Sequence, residues 1–223
     1  MSDDQSRPRR EHPRKVPLVT VLAGAAAVGA AFGAATGLAN ALSFQLRDFE
    51  SQADTTGGAS PVEIVSVLID SGWAWAGLAV AVGWLFTRGG ERRPGPLARA
   101  AAAGALALLA ATAAYSVVDT VRNGAPLSSW YQSEAIVWWV TSVVFGAPLG
   151  AVGGCARGPG VVGLLARATV PVGAAVQMVV QPPGRNERIE LVGQAIVWTA
   201  AAVALGLIVA RFLGERRRRP GPA

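Results

Sequence analysis

Six long apolar runs decide what this chain can fold into. They lie at roughly Val16–Phe44, Ile64–Phe86, Leu97–Val118, Ala135–Cys155, Val161–Val180 and Leu191–Leu213. A bilayer core about 30 Å thick is crossed by about 20 apolar residues in a helix, and every run reaches that length. Only helices and closed barrels satisfy their backbone groups in lipid. The runs lack the strict apolar–polar alternation of barrel strands, so helices are predicted. Composition agrees: 52% of the 223 residues are hydrophobic and 15% charged. A soluble domain carries about 25% charge to coat its surface. The predicted fold class is therefore all-α, a polytopic bundle of six transmembrane helices in the cell membrane.

The breaks between runs are chemically distinct. Thr55-Thr56-Gly57-Gly58-Ala59-Ser60-Pro61, Gly89–Pro96, Asn123-Gly124-Ala125-Pro126, Gly158-Pro159-Gly160 and Gln181–Asn186 read as turns. The predicted organisation is a disordered basic tail over 1–15, a membrane domain over 16–213 and a disordered Arg-rich tail over 214–223.

Lysine and arginine set the orientation. One side carries Arg7, Arg9, Arg10, Arg14 and Lys15, then Arg88, Arg92, Arg93 and Arg99, then Arg157 and Arg167, and finally Arg211 and Arg216 to Arg219. The other side carries Arg47, Arg122, Arg185 and Arg188. The positive-inside rule puts the first side, with both termini, in the cytoplasm. The net charge of +6 is then an orientation signal with a role at anionic lipid headgroups, and no nucleic-acid partner is expected. The first run, with Ala39-Asn40-Ala41 near its end, is also compatible with a signal peptide. It is about twice as long as such a segment, and its removal would leave an odd number of spans.

Small residues recur at four-residue spacing in two spans: Gly29, Gly33 and Gly37 in the first, Gly146, Gly150 and Gly154 in the fourth. Such strips let backbones approach closely. Close packing is the plainer reading, and a moving seam or three-plus-three inverted repeat the sharper one. Pro148 and Pro171 lie inside spans and shape their helices. Arg167 lies about two turns from the cytoplasmic end, within snorkelling reach.

The polar residues of the spans gather toward the outer ends. Thr36 and Asn40, Ser66 and Asp70, Tyr115 and Asp119, Glu134 and Trp138, Gln177 and Gln181, and Glu190, Gln194 and Trp198 each share a helix face. If these edges converge they enclose an acidic, outward-facing vestibule. Asp70 stands out, because a carboxylate about two turns inside a span is costly unless it faces a partner or cavity. Trp73 lies a turn below it, where an aromatic face beside a carboxylate suits an organic cation. The candidate ligand-binding set is Asp70, Trp73, Tyr115, Asp119, Glu134, Trp138, Gln177, Glu190 and Gln194. Headgroup proximity alone accounts equally well for Glu134 and Glu190, and the ordinary interfacial belt for Trp130, Tyr131 and Trp84.

The run Asp70-Ser71-Gly72-Trp73-Ala74-Trp75-Ala76-Gly77, an Ala-rich third span ending in Tyr115 and Asp119, and Trp138-Trp139 before Phe145-Gly146-Ala147-Pro148-Leu149-Gly150 resemble a family of small multi-pass membrane proteins of unknown function from actinobacteria. Nineteen arginines against one lysine agree with a high-GC source. The resemblance implies a membrane fold and brings no activity or catalytic residues.

Nucleotide-binding, dinucleotide-binding and zinc-protease motifs are missing, as is the nucleophile elbow Gly-x-Ser-x-Gly. One cysteine, Cys155, and one histidine, His12, leave little for metal chemistry, so no metal and no cofactor are expected. The leading expectation is binding or transport of a small solute, cationic or amphipathic, through an outward-facing polar and aromatic pocket. The alternative is a non-catalytic subunit that packs against a membrane partner or another copy of the chain. A second alternative is an enzyme that protonates a lipophilic substrate within the bilayer from Asp70 or Asp119. The residues favour a non-enzymatic role.

Overall fold

The break inside the second apolar run organises the molecule. The computed structural model describes residues 17–50, 60–86, 94–124, 126–182 and 187–217. The tail over 1–15, most of the first two loops and residues 218–223 lie outside the described residues. The elements are α1 (Leu18–Glu50), α2 (Pro61–Ile69), α3 (Gly72–Phe86), α4 (Pro94–Asn123), a 3-10 turn (Leu127–Tyr131), α5 (Ser133–Cys155), α6 (Gly160–Val180) and α7 (Glu187–Arg217). No strand occurs among the described residues. Five helices, α1, α4, α5, α6 and α7, are long and apolar enough to cross a membrane. The pair α2–α3 makes a sixth if counted as one span bent by 59°. This is the architecture of a multi-pass membrane protein. It differs from the single uninterrupted helix expected over Ile64–Phe86. α7 also continues to Arg217, past the expected end of the bundle at residue 213.

Local chemistry explains the broken span. Ser60 caps α2 by accepting from the Glu63 N–H, and Pro61 occupies the first turn, where a missing N–H costs nothing. α2 ends at Asp70. The Ser71 hydroxyl donates to the Val67 carbonyl at 2.7 Å. The Ser71 carbonyl accepts from Ala74 and Trp75 N–H and so starts α3. Gln177 of α6 completes the restart: its Oε1 accepts from the Trp73 N–H at 2.8 Å. An orphan N–H in lipid costs several kcal/mol, so a break at this depth needs such partners.

Glycine and alanine then set the helix crossings. A Cβ added at Gly29 or Gly33 would lie 2.0 Å from the carbonyl oxygen of Ala107 or Ala111 on α4. Added at Gly83 of α3 it would lie 2.0 Å from the Gly150 oxygen of α5, and at Gly153 2.1 Å from the Val80 oxygen. Gly104 and Gly146 bring α4 and α5 together in the same way. Both glycine strips are thus used inside the molecule, for close packing. The main core has the same character: Ala25, Ala79, Ala103, Ala107 and Ala111, with Val21, Leu78, Val82 and Leu108, are buried between α1, α3 and α4. A smaller core of Ala174, Met178 and Val197, with Leu68 and Trp73, seats α6 and α7 against α2 and α3.

Successive passes alternate in direction, so that α1 and α4, two passes apart, run parallel along their glycine contacts. The start of α1 meets the end of α3 at Gly24 and Phe86, while its end meets Asp70 through Asn40. Thr112 of α4 pairs with Ser142 of α5, while Ala100 lies against Gly150. Ala175 of α6 accepts from Trp198 of α7, and Met178 from Gln194. The polar partners Asn40, Ser66, Asp70, Tyr115, Gln177 and Gln194 consequently share one end of the bundle.

Candidate functional site

α3 and α5 touch at their glycine crossing and leave room beyond it. There the first turns of α3, the second half of α4 and α5 as far as Leu149 line a half-open cavity of about 770 Å³, with the 3-10 turn at its edge. Trp130 holds that turn in place: its Nε1 donates to Thr120 Oγ1 of α4 at 2.9 Å, and its ring lies 6.3 Å from that of Trp139.

Three carboxylates line the cavity: Asp70, Asp119 and Glu134. Asp70 Oδ2 accepts from Asn40 Nδ2 at 2.8 Å. The same nitrogen lies 3.2 Å from the Tyr115 hydroxyl. The Oδ1 of Asn40 accepts from Ser66, so this one buried amide ties α1 to α2, α4 and the break. Asp70 is exposed to the cavity, beyond the end of α2. Its position at a helix terminus replaces the expected one within a continuous helix, and makes the carboxylate accessible without unpicking a helical turn. Asp119 accepts from Asn123 at 2.9 Å.

Aromatic rings supply the walls. Trp75 packs edge-on to Phe32, 5.6 Å between centroids, and to Tyr115, 6.3 Å. Trp130, Trp138 and Phe145 also line the space. Among the described residues no lysine, arginine or histidine does. Arg122, a turn beyond Asp119, lies over the Phe44 ring of α1 at 5.1 Å. Arg167 is at the opposite end, where its Nε donates to the Ala156 carbonyl at 2.7 Å just after α5. That contact holds its guanidinium at the turn between α5 and α6.

No protein family, curated protein or solved structure matches this chain. The chemistry of the site is therefore read from its own residues.

Of the nine candidates, Asp70, Tyr115, Asp119, Glu134 and Trp138 line the cavity together. The other four do not. Trp73 packs on the Ala174, Met178 and Val197 core, and its Nε1 is buried without a partner. Gln177 caps α3. Gln194 Nε2 donates to the Met178 carbonyl at 3.0 Å and lies 3.4 Å from Glu190 Oε1. Trp73 and Gln177 join α6 to the break, and Gln194, with Glu190 beside it, joins α7 to α6. Sequence reasoning missed Ser142, whose hydroxyl is 2.9 Å from Thr112 Oγ1, and Phe145 as lining. It also missed Glu63, which is 3% exposed. Ser60 followed three residues later by Glu63 is a helix-start signature, and it marks α2 as a separate helix. Among the described residues no group of three or more His, Cys, Asp or Glu is arranged to hold a metal ion.

Proposed function

We propose that this is a six-span cell-membrane protein with both termini cytoplasmic, which binds or transports a small solute through the cavity at its outer face. The observation that carries this reading is the cavity itself. Its 770 Å³ falls within the range of about 300–1,000 Å³ typical of small-molecule sites. Its walls combine aromatic rings with a few convergent polar groups, as such sites do. The half-helix junction at Asp70 adds support, because discontinuous helices are a recurrent way to present polar groups to a solute at membrane depth. The arginine distribution supports the direction in which the cavity opens.

Thiol labelling tests the proposal. In a Cys155→Ser background, Ser116→Cys puts one thiol on the cavity wall. A membrane-impermeant maleimide added to intact cells is expected to modify it. Modification only in inside-out vesicles would reverse the orientation. A thiol unreactive from both sides would remove the aqueous pocket and the function built on it.

A further inference from the structure

The cavity changes character along its length. On α4, Asp119, Ser116 and Tyr115 give way to Thr112 and then Leu108; on α5, Glu134 and Thr141 give way to Phe145 and Leu149. About 16 Å of helix separates Asp119 from Leu108 at the α-helical rise. The carboxylates are at the rim and the apolar residues at the floor, next to the glycine crossing of α3 and α5.

We propose that the cavity takes a single-tailed cationic amphiphile, with its ammonium head among Asp70, Asp119 and Glu134 and its chain reaching down to Phe145 and Leu149. This rests on reading the cavity as a binding site. Charge selects the head. Among the described residues three carboxylates line the space without a basic side chain among them, and Arg122 is held over Phe44. An anionic head would meet uncompensated carboxylates, whereas a cation neutralises them. The ring faces of Trp75, Tyr115 and Trp138 add attraction for an alkylammonium at close range. Shape selects the tail. The lower half, walled by Leu108, Phe145 and Leu149, is apolar and matches an alkyl chain, whose transfer out of water is favourable. A neutral sugar head would match the hydroxyls of Ser116 and Thr120 but would leave the carboxylates undischarged.

The test uses the full chain in phosphatidylcholine nanodiscs and follows tryptophan fluorescence, with empty nanodiscs subtracted. The probes are octyltrimethylammonium, octyl glucoside, octyl sulfate and tetramethylammonium. Octyltrimethylammonium is expected to saturate at least tenfold more tightly than any of the others. Asp70→Asn is expected to weaken it at least tenfold, and Phe145→Ala to weaken it while leaving tetramethylammonium unchanged. If Asp70→Asn does not elute as a single folded species, the double variant Asp119→Asn, Glu134→Gln carries the charge test. Equal binding of octyl glucoside overturns the cationic head. Equal binding of tetramethylammonium overturns the tail. Absence of any saturable signal overturns the proposal. If Ser116→Cys is still labelled from water in that case, the amphiphile falls and the cavity stands; if it is not, both fall.

Discussion

At the scale of single residues, one amide holds the outer end together. Asn40 donates to Asp70, lies against Tyr115 and accepts from Ser66, and so ties α1 to α4 and to the C-terminal end of α2. Hydrogen bonds inside membrane proteins contribute about 1 kcal/mol each, so removing several at once is measurable. Asn40→Leu is expected to lower stability by about 2 kcal/mol, read as a shift in the unfolding midpoint in mixed micelles; an unchanged midpoint would show that the network is incidental. Asp70→Asn should behave differently. It keeps an oxygen acceptor for Asn40 and removes only charge, so folding is expected to stay near normal while binding of a cation is lost. Asp70→Leu that folds and binds like the parent would remove Asp70 from any role. Asp70 was legible as unusual because a carboxylate interrupts an apolar run. Its partner Asn40 was legible only as one of the polar residues near the outer ends of the spans, because hydropathy carries depth and says nothing about which helices are neighbours.

At the scale of elements, backbone approach decides which helices pair. Gly33 has no room for a side chain, whereas Gly206 on α7 has nothing within 4 Å. Gly33→Leu is expected to separate α1 from α4 and to cost several kcal/mol, by the overpacking that close crossings do not tolerate. Gly206→Leu is expected to change stability by less than about 0.5 kcal/mol. Equal thermal midpoints for the two variants would contradict the packing assigned to the strip. The four-residue glycine spacing made a close-packing face readable in the sequence, but its partner was not, since alanine is abundant in every span. The broken span was missed for a related reason. A window of hydropathy runs smoothly across Ile69-Asp70-Ser71-Gly72, and the capping signature at Ser60 and Glu63 is local. Gln177 supplies the remaining test of the break: Gln177→Leu removes the acceptor for the Trp73 N–H and is expected to loosen the start of α3, seen as faster amide exchange at Trp73 and Ala74 with α4 unaffected. Uniform exchange changes across the bundle would assign Gln177 a general packing role instead.

At the scale of the whole molecule, polarity is segregated twice, and the two segregations support each other. With six crossings, sixteen of the twenty basic residues are expected on one side of the bilayer and the carboxylates of the cavity on the other. Across the bundle, the polar groups of the outer half turn inward: Thr36, Asn40, Ser43, Ser66 and Ser142 are buried, while Val121, Val180, Leu165 and Leu207 are exposed, as lipid-facing residues are. The second pattern needs coordinates, because burial depends on which face each helix turns to its neighbours. The first is readable from the chain alone, and it gives the last prediction. If α2–α3 completes a sixth crossing both ends share a compartment, and the positive-inside rule predicts that this compartment is the cytoplasm. A green fluorescent protein fused at Ala223 is expected to fluoresce, and alkaline phosphatase at the same position to stay inactive, because the first matures in the cytoplasm and the second needs an oxidising exterior. The same pair fused after Pro126, beside the cavity rim, should give the opposite result. The reverse pattern, fluorescence after Pro126 and active phosphatase at Ala223, would mean, for a chain whose N-terminus is cytoplasmic, that α2 and α3 do not complete a crossing, so that the bend at Asp70 belongs to a re-entrant loop. The cavity would then open toward the cytoplasm, and its ligand would have to be sought there.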